Sequence, residues 1–149
     1  MIAIACDHAA LETKEAVKSF LADLGVEYCD FGTYDRKSCD YPVYAAKAAN
    51  AVASGECDKG ILICGTGIGM SLAANKVKGI RCAACSEPFS AKMSRAHNNA
   101  NMLAIGARVI GIELAKMIIS EFLNTPFEGD RHQRRVDMII KLENGEPLE

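Results

Sequence analysis

The sequence predicts an α/β protein: a single doubly wound α/β/α sandwich around a five-stranded parallel sheet, of Rossmann-like type. Short apolar runs alternate along the chain with segments of helical periodicity. These runs are too apolar for strands with one face in water, which is typical of a parallel sheet covered on both faces. Strands that alternate with helices form βαβ units with right-handed crossovers. The order of the strands in the sheet does not follow from the sequence.

Five strands are expected from the apolar runs. They are Met1–Cys6, Val26–Phe31, Gly60–Cys64, Ile80–Ala84 and Met102–Ile105.

Helices are predicted between the strands from apolar spacing and from residues typical of helix ends. Apolar residues at i, i+3, i+4 and i+7 from Val17 to Leu24 indicate the first helix, which Gly25 ends. Pro42 and Pro88 are typical of a helix start. The remaining helices are expected over Ala45–Ala53, Met70–Lys76, Pro88–His97, Ala115–Phe122 and about 130–142.

Length and composition limit the class of protein. The 149 residues, 16.0 kDa in mass, suit one domain over 1–149 with a substantial core. A net charge of −2 argues against a polybasic partner of nucleic acid or of a membrane surface. No stretch approaches the ~20 apolar residues of a membrane span. Seven scattered cysteines do not form a disulfide framework, so we expect free thiols in a reducing, cytoplasmic compartment.

Reactive side chains follow several of the predicted strands. In an open parallel sheet, ligands bind beyond the carboxyl ends of the strands. Asp7 and His8 follow the first strand, and the glycine-rich loop 65–69 follows the third. Cys85 follows the fourth strand and Arg108 the fifth. We therefore expect these groups to gather at one edge of the sheet.

The glycine-rich loop is the clearest motif. Gly65, Gly67 and Gly69 alternate with Thr66 and Ile68 and open a helix. Glycines let backbone N–H groups approach an anion, and a helix N-terminus favours negative charge. The spacing fits neither a Walker A loop nor a dinucleotide fingerprint. The alternative is a tight strand-to-helix turn without a ligand.

Cys64 precedes this loop directly. A thiolate beside an anion-stabilising loop can act as a base or a nucleophile. The alternative is a buried strand cysteine, as Cys6 and Cys82 are predicted to be. Cys82 and Cys85 have a CxxC spacing, but their odd offset on a strand turns the two side chains to opposite faces. They are interpreted as structural, and no residue set indicates a metal site.

A basic segment opens the last helix. Asp130 and Gln133 have the spacing of a capping box. Arg131 and Arg135 lie four residues apart and share a helix face, although the helix dipole disfavours cations there. Two guanidinium groups on one face suit a phosphate. A solvated basic patch or an ion-pair network is the alternative.

His97 is predicted near a helix C-terminus, where the dipole stabilises an imidazolium. Asn98 and Asn99 follow and suit a helix end. This places His97 on the amino side of the fifth strand, away from Cys64, and a second subunit would reconcile the two positions.

Together these residues resemble the type B ribose-5-phosphate isomerase family, which is grouped with galactose-6-phosphate and allose-6-phosphate isomerases. The resemblance covers Met1 to about Leu142. Its motifs are Asp7-His8, Asp40-Tyr41-Pro42, Cys64–Gly69, Ala73–Lys76, Cys85–Pro88, His97-Asn98 and Gly129–Arg135.

The resemblance implies a cofactor-free, metal-free aldose–ketose isomerase of the non-oxidative pentose phosphate pathway, which interconverts ribose 5-phosphate and ribulose 5-phosphate through an enediolate. The position of Cys64 is the base, and the loop 65–69 with Thr66 is the anion hole. A glutamate serves as the base in another branch of the family, but Met70 stands at that position here.

The remaining roles are also implied by the resemblance. The position of His97 opens the furanose ring. Asp7 and Tyr41 assist at the sugar hydroxyls, while phosphate contacts match His8, Arg108, Arg131 and Arg135. His97, Asn98 and Arg108 face the site of a neighbouring subunit, so a homodimer or a dimer of dimers with shared sites is expected.

Two alternatives remain at this point. One is an isomerase for allose or galactose 6-phosphate, because pocket depth does not follow from the sequence. The other is a non-enzymatic phosphosugar-binding domain with the same loop and arginines, which would need neither Cys64 nor His97.

Overall fold

A computed structural model describes residues 1–149 and has one sheet of five parallel strands. The strands are β1 (Ile2–Cys6), β2 (Tyr28–Asp30), β3 (Lys59–Cys64), β4 (Cys82–Ala84) and β5 (Met102–Gly106). Their spatial order is β2-β1-β3-β5-β4. The predicted α/β fold with a five-stranded parallel sheet is confirmed, and β2 and β4 are shorter than the apolar runs that predicted them.

Six helices surround the sheet. They are α1 (Leu11–Asp23), α2 (Tyr41–Ala53), α3 (Ile68–Ala74), α4 (Pro88–Ala96), α5 (Ile112–Asn124) and α6 (Arg131–Glu143). Each predicted helix is present. None of them combines the length and apolarity needed to cross a bilayer.

The sheet buries both faces against helices, which explains its apolar strands. Ile61 and Ile63 of β3 pack on one side with residues of α1, α4 and α5. Leu62 and Cys64 pack on the other side with residues of α2 and α3. Side chains alternate between the faces along each strand, so the two cores share the sheet as their common wall.

Two local predictions were wrong. Helix α3 begins at Ile68 rather than Met70, because Gly67 takes the left-handed conformation (φ 80°) that ends the loop and starts the helix. The capping box at α6 does not form. Asp130 has φ 50° and its carboxylate caps no backbone N–H, while the side chain of Gln133 donates to Asp137 Oδ1.

Candidate active site

The first group of predicted site residues lies where the strand order changes direction. From β1 the chain crosses to β2 on one side, and β3 lies on the other. Such a switch point leaves a crevice at the carboxyl ends of the strands. Asp7 extends the ladder beyond β1, since its N–H donates to Ile63 O over 3.1 Å. This pairing continues the register of Cys6 with Ile63 and sets Asp7 beside Cys64.

Cys64 ends β3 with its sulfur directed at the glycine-rich loop. The backbone N–H of Gly67 donates to Cys64 Sγ over 3.1 Å. The thiol is buried, with 5% of the residue exposed. This hydrogen bond holds the sulfur of Cys64 against a backbone donor of the loop.

The glycine-rich loop packs so closely against the end of β5 that positions 67 and 106 have no room for a side chain. A methyl group at Gly67 would lie 3.0 Å from the carbonyl carbon of Ile105. A methyl group at Gly106 would lie 2.7 Å from the carbonyl carbon of Thr66. Both neighbours are backbone atoms, which cannot turn aside as the end of a side chain can. Glycine at these two positions therefore lets the loop approach the sheet this closely.

Thr66 lies exposed at the tip of this loop. Its Oγ1 accepts the N–H of Ile68 over 3.2 Å, so the hydroxyl proton remains free to be donated elsewhere.

Two long side chains flank the loop. Arg108 passes over Gly65, where a methyl group would be 3.5 Å from its Cδ atom. Tyr41 begins α2 and covers Gly69, where a methyl group would be 2.8 Å from the ring. Both side chains are partly in solvent and extend the wall of the crevice.

His8 is held by a residue that the sequence had not singled out. The backbone N–H of Cys39 donates to His8 Nδ1 over 3.2 Å, and Cys39 Sγ lies 3.7 Å from the same nitrogen. His8 and Ala107 line a cavity of about 320 Å³ together with Leu11, Glu12, Thr13 and Arg36. Across the loop, Thr66, Ile68 and Ser86 line a smaller cavity of about 250 Å³.

A second group lies at the opposite end of the sheet. His97 is the C-cap of α4, as predicted, and its ring stacks on His132 with centroids 4.1 Å apart. Arg131 and Arg135 occupy the first turns of α6 beside this stack. The length of β5 separates them from Cys64, about 13 Å at 3.3 Å per residue. Within one chain, Arg131 and Arg135 therefore lie near His97 and far from His8.

Hydrogen bonds from Arg81 hold the segment that carries His97 and Asn98. Arg81 donates from Nε to Asn98 O over 3.1 Å and from Nη2 to Asn99 O over 2.9 Å. Asn99 adopts φ 46°, a conformation that asparagine tolerates. Asn98 remains exposed and lines a cavity of about 590 Å³ between β4 and α6.

Arg131 and Arg135 are exposed, and neither pairs with a carboxylate of this chain. The ion-pair network considered from the sequence is therefore absent, which leaves two free guanidinium groups on one helix face.

The interpretation of the CxxC spacing holds. Cys82 packs on the α2–α3 side of the sheet, whereas Cys85 belongs to the α1–α4–α5 core. Burial raises the pKa of Cys82 to about 12 and that of Cys85 to about 11. Both thiols are therefore protonated at neutral pH, which is the opposite of a redox-active pair.

Comparison with known proteins gives one consistent family. The model of the ribose/galactose isomerase family matches residues 2–139. Ribose-5-phosphate isomerase B of Escherichia coli is 53% identical over 142 residues, 95% of this chain and 95% of that protein.

Two solved structures share the whole fold. Ribose-5-phosphate isomerase B of Clostridium thermocellum superposes with a TM-score of 0.95 at 49% identity, over 97% of both chains. The Thermotoga maritima ribose 5-phosphate isomerase gives a TM-score of 0.92 at 54% identity, over 94% of this chain and 97% of that one.

Proposed function

The chain belongs to the ribose/galactose isomerase family, and we propose that it interconverts D-ribose 5-phosphate and D-ribulose 5-phosphate through an enediolate, as an enzyme of the non-oxidative pentose phosphate pathway. The observation that carries this proposal is the contact of Cys64 Sγ with the Gly67 N–H at the switch point of the sheet. It joins a base to a set of backbone donors in one crevice.

Cys64 is the group that moves the proton. Its thiolate takes the proton from C2 of the open-chain aldose, and the electron pair of that bond forms the C1–C2 double bond while the carbonyl π pair moves to O1. The proton on O2 then passes to O1, and return of a proton from the Cys64 thiol to C1 gives the ketose and restores the thiolate. General base catalysis of this kind contributes about 10²–10⁴-fold. Because position 70 is a methionine, no carboxylate can act as the base there.

The glycine-rich loop stabilises the charge that develops on oxygen. The Thr66 hydroxyl proton is free to be donated, and Asp7 lies beside Cys64 on the β1 side. We assign this hydroxyl and the amides of the loop to the developing oxyanion. Removal of one oxyanion donor typically costs about 10²–10³-fold in rate. Asp7 and Tyr41 are assigned to the sugar hydroxyls.

The phosphate is bound away from the reacting carbons, where its binding energy positions the substrate. His8 and Arg108 lie at the Cys64 end of the chain, whereas Arg131 and Arg135 lie with His97 at the other end. These four side chains act on one phosphate only if the sites combine residues of two subunits.

A homodimer with shared active sites, or a dimer of such dimers, is therefore part of the proposal. His97 and Asn98 of one subunit would complete the site that holds Cys64 of the other, where His97 opens the furanose ring. The position of His97 near the amino end of β5 and of Cys64 at its carboxyl end supports this arrangement, because β5 is about 13 Å long. Exposed apolar side chains near the loop, Ile68, Leu72 and Val109, offer a surface for it.

An isomerase for allose or galactose 6-phosphate remains the second candidate, and the family description includes galactose. We also propose that residues 1–149 form one isomerase domain in a reducing, cytoplasmic compartment. All seven cysteines are unpaired, which supports such a compartment.

The deciding experiment measures isomerisation and proton exchange together. Ribose 5-phosphate, allose 6-phosphate and galactose 6-phosphate are each incubated in deuterated buffer with wild type and with Cys64→Ala. We expect turnover of ribose 5-phosphate with deuterium exchange at C1 and C2, and neither with Cys64→Ala. Normal turnover by Cys64→Ala would exclude the cysteine base, and binding without exchange by wild type would favour a phosphosugar-binding protein.

A further inference from the structure

An arginine that has no role in the function proposed above borders the cavity beside His8. Arg36 lies in the loop between β2 and α2 and lines the cavity of about 320 Å³ that His8 also lines. Its Nη2 donates to Oε1 of Glu12, in the first turn of α1, over 2.5 Å. We propose that Arg36 is a further phosphate-binding residue, and that the phosphate of the substrate displaces Glu12 from its guanidinium group. This inference rests on the proposed function.

The loop that carries Arg36 also holds His8. Three residues after Arg36, the N–H of Cys39 donates to His8 Nδ1 over 3.2 Å. Before Arg36, the hydroxyl of Tyr34 donates to the carbonyl oxygen of Asp30 over 2.8 Å. The loop is therefore anchored on both sides of Arg36, and it keeps this side chain and His8 at the border of the same space.

The cavity begins within one residue of the crevice that contains Cys64. His8 follows Asp7, which lies beside Cys64, and the N–H of Ala107 donates to Cys64 O over 2.8 Å. In open-chain ribose 5-phosphate the phosphorus lies five bonds from C2, about 6 Å when the chain is extended. This length is close to the rise of two strand residues. A phosphate in the cavity is therefore compatible with C2 beside Cys64.

The charges around the cavity favour an anion once Glu12 is displaced. His8, Glu12 and Arg36 are its ionisable lining residues, and Glu12 is the only acid among them. The N-cap residue of α1 is Ala10, whose side chain cannot accept from the first amides of this 13-residue helix. The positive end of the helix dipole adds to the charge of Arg36.

The ion pair of Arg36 with Glu12 is weak enough to exchange. The two side chains are 73% and 83% exposed, and ion pairs surrounded by water contribute little net free energy. A phosphate ester carries nearly two negative charges at pH 7 and accepts two parallel hydrogen bonds from a guanidinium group. Glu12 thus holds the guanidinium group at the cavity when the site is empty, and the phosphate replaces the carboxylate.

Calorimetry with ribitol 5-phosphate tests binding, because this compound keeps the phosphate and the hydroxyls but has no carbonyl group to isomerise. Arg36→Met removes the guanidinium group and keeps an apolar stem. Lys37→Met is the matched control, since Lys37 has the same charge, is exposed and does not line the cavity. We expect about tenfold weaker binding for Arg36→Met and a change of less than about twofold for Lys37→Met. Equal losses in the two variants would indicate only a long-range effect of charge and would overturn the proposed role of Arg36.

Glu12→Gln tests the exchange of partners, because it removes the competing charge and nearly keeps the size of the side chain. We expect this variant to bind ribitol 5-phosphate about twofold to fivefold more tightly than wild type. If the ion pair only held the loop in place, loss of either partner would weaken binding. Weaker binding by Glu12→Gln would therefore refute the exchange.

Steady-state kinetics with ribose 5-phosphate separate binding from chemistry. Arg36→Met should raise KM about tenfold and change kcat by less than about twofold, because the other phosphate contacts still position the substrate. A fall in kcat at unchanged KM would contradict a phosphate contact. If wild type binds ribitol 5-phosphate but does not isomerise ribose 5-phosphate, the proposed function is refuted, and the affinities of the variants still decide the role of Arg36.

Discussion

The backbone N–H of Cys39 donates to Nδ1 of His8 over 3.2 Å. An imidazole nitrogen that accepts an amide hydrogen bond carries no proton, so the proton of His8 resides on Nε2. The ring therefore presents its Nε2–H on the side away from Cys39. In this tautomer it can donate a hydrogen bond to a phosphate oxygen. The loop before α2 thus sets the chemical state of a residue 31 positions earlier.

This relationship predicts the behaviour of two variants at one position. Cys39→Pro removes the N–H donor, and Cys39→Ala retains it. Because one such hydrogen bond is worth about 0.5–1.5 kcal/mol, we expect Cys39→Pro to raise the KM for ribose 5-phosphate about threefold to tenfold. Cys39→Ala should behave as wild type. ¹⁵N NMR of the His8 ring checks the tautomer directly, and a proton on Nδ1 in wild type would contradict the interpretation.

The sequence predicted much of this end of the molecule. Apolar strands and the rule for ligands at carboxyl ends of parallel strands were sufficient to bring Asp7 and Cys64 together. The contact of Cys39 with His8 was missed, since a backbone donor can belong to any residue type. No local pattern in the sequence distinguished Cys39 from the other six cysteines.

The far end of the molecule was less predictable. His97 was expected at a helix end, but its neighbours Glu128 and His132 come from a turn and a helix more than 30 residues later. The spatial swap of β4 and β5 was equally invisible, because strand order leaves no mark on apolar spacing. Asp130 failed as a cap for a local reason, because its backbone (φ 50°) does not take the extended conformation in which an N-cap side chain reaches the first amides of a helix.

The close packing of Gly106 on the glycine-rich loop predicts a loss of rate. An alanine methyl at position 106 would lie 2.7 Å from the Thr66 backbone, so the loop must move away from Cys64. A displacement of about 1 Å at a catalytic group costs roughly a hundredfold in kcat. Gly111→Ala is the control, because nothing lies within 4 Å of its added methyl. Equal kcat in the two variants would show that the loop position is not critical.

Lys14 and Asp30 predict how stability depends on pH. Lys14 is fully buried, and its ammonium donates to Asp30 Oδ1 over 2.7 Å. Burial alone would raise the pKa of Asp30, but hydrogen bonds from Lys14, the Gly32 N–H and Lys18 outweigh it and lower the pKa below its usual range. A carboxyl group with a lowered pKa in the folded state stabilises the fold above about pH 4 and loses that effect as the pH falls through the folded pKa.

Asp30→Asn isolates this contribution. Loss of one partner of a buried pair costs about 3 kcal/mol, so the variant should unfold that much more easily at pH 7. As the pH falls from about 4 through the lowered pKa of folded Asp30, the wild-type carboxylate takes up a proton and the difference should shrink toward zero. Urea unfolding of both proteins across this range measures it, with the exposed Asp23→Asn as control. A difference that stays constant with pH would contradict the ionic origin.

The separation of Cys64 from His97 makes the strongest prediction about assembly. If each site combines Cys64 of one subunit with His97 of the other, Cys64→Ala and His97→Ala each abolish both sites of a dimer. Subunits of the two variants, refolded together, pair at random, so half of the dimers are mixed and each contains one intact site. Activity should then return to about a quarter of wild type. A mixture of Cys64→Ala with Thr66→Ala, which belong to the same half of the site, should show no gain over the separate proteins. Absence of recovery in the first mixture would mean that one chain forms the whole site, and the 13 Å along β5 would then have to be closed by movement of the His97 segment.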